Sequence, residues 1–142
     1  MPKRNANANW SGDLQNGNGK MAFGSGAYEG SYSFKSRFED GAGTNPEELI
    51  GAAHAGCYSM ALSNELAEAG FTPESVDTNA EVSLEIVDGD PAITTIVLNV
   101  KANIPDIDEE TFLEYAEGAK KNCPVSKALA GVNIELNTEL NN

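Results

Sequence analysis

A single long helix, predicted between Asn45 and Gly70, constrains the fold of this chain more than any other segment. Asn45 has a side chain suited to capping a helix, Pro46 suits the first helical position, and Glu48 can close a capping box. Gly70 ends the helix, because glycine readily adopts the left-handed conformation that follows a last turn, and Pro73 comes soon after.

Small residues are frequent inside this helix. They are Gly51, Ala52, Ala53, Ala55, Gly56 and Ala61. Because small side chains allow another backbone to approach closely, we expect another element to cross the helix at short range.

Three short strands are predicted before the helix, at Asn5–Trp10, Lys20–Ala27 and Ser31–Phe38. In the third, the aromatic residues Tyr32, Phe34 and Phe38 alternate onto one face. Lys35 and Arg37 take the other face.

Behind the helix, the pattern predicts a hairpin, two further helices and a last strand. These elements are the strands Val76–Val87 and Ala92–Ile104 around the turn DGDP, a helix capped by Asp106 or Asp108 and running to about Lys121, a short helix Pro124–Ala130 ended by Gly131, and the strand Val132–Leu140. The order βββ–α–ββ–α–α–β indicates an α+β protein, and the length fits one domain spanning residues 1–142.

Charge and hydropathy exclude several classes of function. The net charge is −13 and only nine residues are Lys or Arg, so we expect no nucleic-acid partner. We interpret the acidity as a source of solubility, including in a saline interior, with a cationic partner as the alternative.

No apolar run is long enough for a membrane span. The segment MPKRNANANW has no apolar region typical of a secretory signal, so we expect a cytoplasmic location.

Cys123 is one of two cysteines in the chain and the one that its immediate neighbours favour chemically. It directly precedes Pro124, which places it at or near a helix N-terminus, where partial positive charge stabilises a thiolate. Lys120 and Lys121 add positive charge nearby. The alternative is a small residue that is merely tolerated at a helix cap.

Cys57 lies about 16 Å along the long helix from Pro46, too far for the helix terminus to activate it. On an apolar helix it is either inert packing or a nucleophile that takes positive charge from elsewhere, because a thiol of pKa about 8.5 is mostly protonated at neutral pH. The candidate source is Arg37, with Glu47 as the carboxylate that holds it. Otherwise Arg37 is a solvated strand residue and Glu47 a helix-start acid.

His54 is the only histidine and lies one turn before Cys57. With Cys57 and Cys123 it could form a three-ligand metal site, but the close ligand pairs of zinc sites are absent, so we expect no metal. We expect His54 to pack or to form hydrogen bonds along its helix.

Two motifs resemble the OsmC/Ohr family of thiol peroxidases, and its OsmC branch in particular. They are SRFEDGAGTNPEELIGAAHAGCYSMALS and NCPVSKALAG. The resemblance implies an α+β fold in an intertwined homodimer, with central helices packed against two sheets and active sites at the subunit interface. It also implies the reduction of hydroperoxides, organic ones above all, in a protective stress response.

The same resemblance implies a role for each matching residue. Cys57 in HAGC would be the peroxidatic thiol, Cys123 in NCPVS would resolve its sulfenic acid as a disulfide, and Arg37 and Glu47 would be the activating pair. An external dithiol, of the lipoyl type in this family, would reopen the disulfide, and no bound cofactor is expected.

The substrate pocket and the type of activity leave alternatives open. Met60, Leu49 and Tyr58 either line a pocket for organic peroxides or belong to the core. The alternative functions are a thiol–disulfide oxidoreductase without peroxidase activity and a non-enzymatic stress-related binding module with buried, distant cysteines.

Overall fold

A computed structural model describes all residues 1–142 and shows a mixed α+β architecture. Its elements are β1 (Ala6–Ser11), β2 (Asn18–Phe23), β3 (Glu29–Tyr32), α1 (Phe34–Phe38), α2 (Pro46–Glu68), β4 (Ser75–Val87), β5 (Asp90–Asn103), α3 (Glu109–Asn122), α4 (Pro124–Ala128) and β6 (Asn133–Asn141). The predicted fold class is confirmed, and the predicted order lacks only the short helix α1. The chain forms two compact units, residues 1–49 and residues 50–142; the predicted single domain stays a prediction.

Residues 1–49 form an antiparallel three-stranded sheet in the order β1–β2–β3. Trp10 of β1 and Tyr32 of β3 stack above β2 with ring centroids 5.2 Å apart. The prediction that β2 continues to Ala27 is wrong. The strand ends at Phe23 because Gly26, with a φ of 80°, turns the chain back toward β3.

The prediction of a strand over Ser31–Phe38 is also wrong beyond Tyr32, where the chain enters helix α1. Ser33 caps this helix: its Oγ accepts from the Ser36 amide at 3.2 Å, and the Ser36 Oγ accepts from the Ser33 amide at 2.8 Å. Phe34 and Phe38 are four residues apart, a spacing that fits one face of a helix as well as one face of a strand. The reciprocal capping box decides in favour of the helix.

Residues 50–142 contain a second sheet in the order β4–β5–β6. The hairpin of β4 and β5 turns at Asp88 and Gly89, whose φ values of 52° and 85° are those required by the primed two-residue turns. Helices α3 and α4 connect β5 to β6, which pairs parallel to β5. Asp108 caps α3 as predicted, whereas α4 ends at Ala128, short of the predicted Ala130.

The predicted cap residues at both ends of α2 are confirmed, but the predicted capping box is not. The Asn45 Oδ1 accepts from the Glu48 amide at 2.8 Å, whereas the Glu48 carboxylate accepts from the Asn45 side chain and not from its backbone amide. At the other end Gly70 has a φ of 93°, and the Phe71 amide donates to the Leu66 carbonyl at 2.9 Å. This backward hydrogen bond is typical of a glycine-terminated helix.

The core of residues 50–142 lies between α2, α3 and the second sheet. Its fully buried side chains include Tyr58, Leu62, Ile96, Leu98 and Phe112. The small residues of α2 explain part of this packing, because a Cβ on Gly51 would lie 3.4 Å from the Val82 side chain of β4. The helix therefore crosses a strand at short range, as predicted. None of the helices combines the length and apolarity that crossing a membrane requires.

Candidate active site

The two cysteines lie far apart in the sequence and close together in the structure. Cys57 is at the midpoint of α2 and partly exposed, whereas Cys123 joins α3 to α4 and is fully buried. Their Sγ atoms are 2.9 Å apart, and both thiols are free. Because a disulfide needs a sulfur–sulfur distance of about 2.05 Å, a small movement is sufficient to join them.

The surroundings of Cys123 favour its charged form. Burial alone would raise the pKa of this thiol, but hydrogen bonds outweigh burial and hold the pKa below its ordinary value. The donors are Cys57, the amide and hydroxyl of Ser126, and the Val125 amide. The expectation that lysines add to this effect is not supported, since Lys120 instead lies 3.8 Å from Glu117.

The surroundings of Cys57 have the opposite effect. Burial, and then the hydrogen bond and negative charge of Cys123, raise the pKa of Cys57, and the Val125 amide offsets only part of this. Of the two thiols, Cys123 is therefore the more acidic. Cys57 becomes the thiolate only when a positive charge is supplied beside it.

Arg37 and Glu47, both within residues 1–49, form the expected ion pair. The Arg37 Nε donates to Glu47 Oε1 at 3.1 Å and its Nη2 donates to Oε2 at 3.0 Å, which is a bidentate arrangement. The Glu47 side chain is 9% exposed and that of Arg37 is 34% exposed. A buried carboxylate thus fixes the guanidinium at one end of α1 and leaves part of it accessible. Arg37 is therefore not a solvated strand residue, and Glu47 is more than an acid at the start of a helix.

A cavity of about 220 Å³ lies beside Arg37 within the same unit. Apolar side chains dominate its lining, namely Trp10, Leu14, Tyr32, Phe34 and Phe38. None of the pocket candidates Leu49, Tyr58 and Met60 lines this cavity. Tyr58 belongs to the core, the alternative considered, and donates to the Ala116 carbonyl at 3.0 Å. Met60 is 77% exposed.

His54 is fully buried, and its Nε2 lies 2.7 Å from the Ser126 Oγ. Because Ser126 belongs to α4, this hydrogen bond joins two helices and does not run along α2 as expected. No group of three or more His, Cys, Asp or Glu side chains is arranged to hold a metal ion, so the sulfurs and His54 do not form the three-ligand site considered above. Burial lowers the pKa of His54, which keeps its ring neutral.

Ser126 is the residue that sequence reasoning missed. It contacts His54 and stabilises Cys123, and it is itself 6% exposed. Its position three residues after Cys123, in the first turn of the helix that Pro124 starts, was the available signal, because the third helical residue faces back toward the cap.

Comparisons with known proteins agree with this geometry. A family model described as "OsmC-like protein" matches residues 39–137. Peroxiredoxin OsmC of Escherichia coli K12 is 53% identical over 123 residues, covering 86% of each chain. Organic hydroperoxide resistance protein OhrB of Bacillus subtilis is 35% identical over 101 residues, covering 69% of this chain and 70% of its own.

Solved structures show the same fold. The crystal structure of OhrB of Bacillus subtilis superposes with a TM-score of 0.69 at 27% identity, over 96% of this chain and 97% of that one. An OsmC-like protein from Mycoplasma pneumoniae superposes with a TM-score of 0.73 at 19% identity, over 99% of both chains, which bears on the fold alone.

Proposed function

The chain belongs to the OsmC family, and from that premise we propose that it is a cysteine-based peroxidase that reduces organic hydroperoxides. The observation that carries the proposal is the pair of free thiols 2.9 Å apart, one partly exposed and one buried. The relatives named peroxiredoxin and organic hydroperoxide resistance protein support the same activity.

In the first step, the Cys57 thiolate attacks one oxygen of the peroxide. The O–O bond breaks, Cys57 becomes a sulfenic acid, and the other oxygen leaves with the electron pair as an alkoxide that takes up a proton. Because its own surroundings raise the pKa of Cys57, the step needs an added positive charge. We assign that role to Arg37, which Glu47 holds by two hydrogen bonds.

In the second step, the Cys123 thiolate attacks the sulfenic sulfur and displaces hydroxide, which leaves as water after protonation. The product is a Cys57–Cys123 disulfide. An external dithiol then supplies two electrons and restores both thiols. We expect a lipoyl-type dithiol, and we place the reaction in the cytoplasm, where thiols are kept reduced.

The cavity beside Arg37 supports a preference for organic peroxides over hydrogen peroxide. Its lining is mostly aromatic and aliphatic, and it opens next to the cation that this mechanism uses. An alkyl or aryl group gains from leaving water for such a surface, at about 25 cal/mol per Å², and hydrogen peroxide has no such group.

A homodimer is part of the proposal, and two features support it. Residues 1–49 fully bury no large apolar side chain, so their sheet needs cover from another surface. The outward face of α2 exposes Ala52, Ala53, Gly56 and Met60, which suits close contact with a second helix. We expect a dimer in sedimentation, and Ala53→Arg should shift it to monomer.

The decisive experiment is steady-state turnover of cumene hydroperoxide with a lipoyl dithiol, compared with dithiothreitol and with hydrogen peroxide as substrate. We expect fastest turnover with the organic peroxide and the lipoyl reductant. Turnover of disulfide substrates without peroxide consumption would instead identify a thiol–disulfide oxidoreductase. A purely non-enzymatic module required distant, buried cysteines, and the observed sulfur distance is 2.9 Å.

A further inference from the structure

A buried chain of polar groups runs from His54 through Ser126 to the Cys123 sulfur, and the mechanism above uses only its last member. The His54 ring is fully buried and its Nε2 is 2.7 Å from the Ser126 Oγ. Ser126 lies in the first turn of α4, three residues after Cys123, and its hydroxyl contributes to lowering the pKa of the Cys123 thiol. The 2.7 Å contact therefore joins His54 of α2 to the turn of α4 that begins beside the resolving cysteine.

The direction of the hydrogen bonds follows from the His54 ring. Its Nδ1 is buried without a partner. A buried N–H without an acceptor is rarer in proteins than an acceptor without a donor, so the proton belongs on Nε2. Nε2 then donates to the Ser126 Oγ. The single hydroxyl proton of Ser126 is thereby left free to point at Cys123.

We propose that His54 is a positioning residue which, by donating to the Ser126 hydroxyl, aims that hydroxyl at Cys123 and holds this sulfur as a thiolate. With the His54 proton on Nδ1 instead, the Ser126 hydroxyl would donate to His54 Nε2 and could not donate to Cys123. In this arrangement neutral donors stabilise the thiolate, so no cation has to be buried beside the fully buried Cys123 sulfur.

The chemical consequence rests on the proposed function and concerns both halves of the cycle. When the sulfenic acid forms, a charged Cys123 is ready to attack it. When the external dithiol returns, it reaches Cys57, because Cys123 is fully buried and Cys57 is not. The incoming sulfur bonds to Cys57, the disulfide breaks, and its electron pair leaves on Cys123, whose stabilised thiolate is a good leaving group. The second dithiol sulfur then displaces Cys57.

Titration of the Cys123 thiol tests the proposal without any peroxide. In a Cys57→Ser background, Cys123 is the only thiol, and its ionisation is followed by ultraviolet absorbance against pH. Ser126→Ala should raise the pKa of Cys123 by about one unit, because a hydrogen bond to a charged group is lost. His54→Phe should raise it in the same direction, and His54→Gln, which keeps a donor near the Nε2 position, should restore it.

Ser59→Ala is the matched control, since it removes a hydroxyl of α2 that is bonded to Thr78 at 2.7 Å and not to a sulfur. It should leave the Cys123 titration unchanged. An unchanged Cys123 pKa in both Ser126→Ala and His54→Phe would overturn the proposal.

A second measurement needs no substitution, because His54 is the only histidine. Nitrogen NMR of the labelled ring should show the proton on Nε2 and a bare Nδ1. A proton on Nδ1 alone would overturn the proposal even if His54→Phe does not fold. Both measurements remain decisive if the protein reduces no peroxide, so failure of the proposed function and failure of this inference are distinguishable.

Within the peroxidase cycle, the expected effect of Ser126→Ala is modest. A pKa raised by one unit lowers the thiolate fraction by at most about tenfold, but the more basic thiolate is a better nucleophile, so disulfide closure slows by at most about threefold. More sulfenic acid should then be trapped by dimedone at early times.

Discussion

Residues 50–142 hold their two sulfurs by packing, whereas residues 1–49 hold their ion pair by hydrogen bonds. The first region has a continuous apolar core and fully buries Cys123. The second buries the polar residues Ser36, Thr44 and Glu47 and buries no large apolar side chain to the same degree. Arg37 is thus fixed by a carboxylate and a capped helix, not by tight packing. From this contrast we expect the distance between the two sulfurs to remain the same in variants that displace the Arg37 guanidinium.

The two regions also differ in how they act on charge. Around the sulfurs, neutral hydrogen-bond donors lower the pKa of Cys123, and burial raises that of Cys57. The fixed positive charge belongs to the other region. This division predicts that a substitution in residues 1–49 can remove the positive charge without changing the sulfur pair. A substitution at the sulfurs should likewise leave the ion pair intact.

Cys57→Ser should have the largest effect, a complete loss of peroxide consumption, because no other sulfur can form the reactive sulfenic acid. Cys123→Ser is the matched control in the same region: it should permit one turnover and leave a sulfenic acid that dimedone traps. Mass spectrometry of both variants after one equivalent of cumene hydroperoxide decides between them. Persistent turnover in Cys57→Ser would refute the assigned roles.

Arg37→Ala should slow the oxidation of Cys57 about 100- to 1000-fold, the usual cost of removing one group that stabilises developing negative charge. It should also raise the pKa of Cys57, while the titration of Cys123 remains that of the wild type. Stopped-flow oxidation measures the rate. Arg37→Lys keeps the charge but loses the bidentate contact with Glu47 and should recover only part of the rate. Unchanged oxidation in Arg37→Ala would show that the charge comes from elsewhere.

Local signals in the sequence predicted most of the fold correctly. Asn45, Gly70 and Asp108 act as expected because capping depends on neighbouring residues alone. The turn at Asp88 and Gly89 has the same local origin. Where two local patterns compete, as at Phe34 and Phe38, spacing by four residues fits both structures, and only the capping box formed by Ser33 decides.

The candidate site was predictable in part. The motifs indicated Cys57, Cys123, Arg37 and Glu47, and the structure adds the 2.9 Å sulfur contact and the bidentate ion pair. The chain of His54 and Ser126 was not predicted, because their contact spans 72 positions in the sequence. No periodicity connects residues so far apart. Their catalytic roles stay predictions.

Leu62→Ala should lower the free energy of unfolding by about 2–5 kcal/mol, since Leu62 is fully buried in the core. Phe23→Ala, in the sheet of residues 1–49, should cost less than about 1 kcal/mol in a single chain, because Phe23 is 40% exposed. Urea unfolding at several protein concentrations measures both. A large cost for Phe23→Ala that depends on concentration would show that a second copy covers this side chain, and the contrast in packing would then apply only to the isolated chain.

Ser33→Ala should have a small effect on stability and the most informative one on the comparison. Loss of the capping box that starts α1 should cost about 1 kcal/mol. Because α1 carries Arg37, the lost cap should also loosen the guanidinium and slow the oxidation of Cys57 several-fold. Ser33→Thr keeps an acceptor oxygen at the cap and should restore both values, so a defect shared by the two variants would point to the Ser33 site in general and not to its hydrogen bond. The Cys123 titration is the internal reference: if it shifts together with the oxidation rate, the sulfurs depend on residues 1–49 for more than charge, and the division between packing and hydrogen bonding fails.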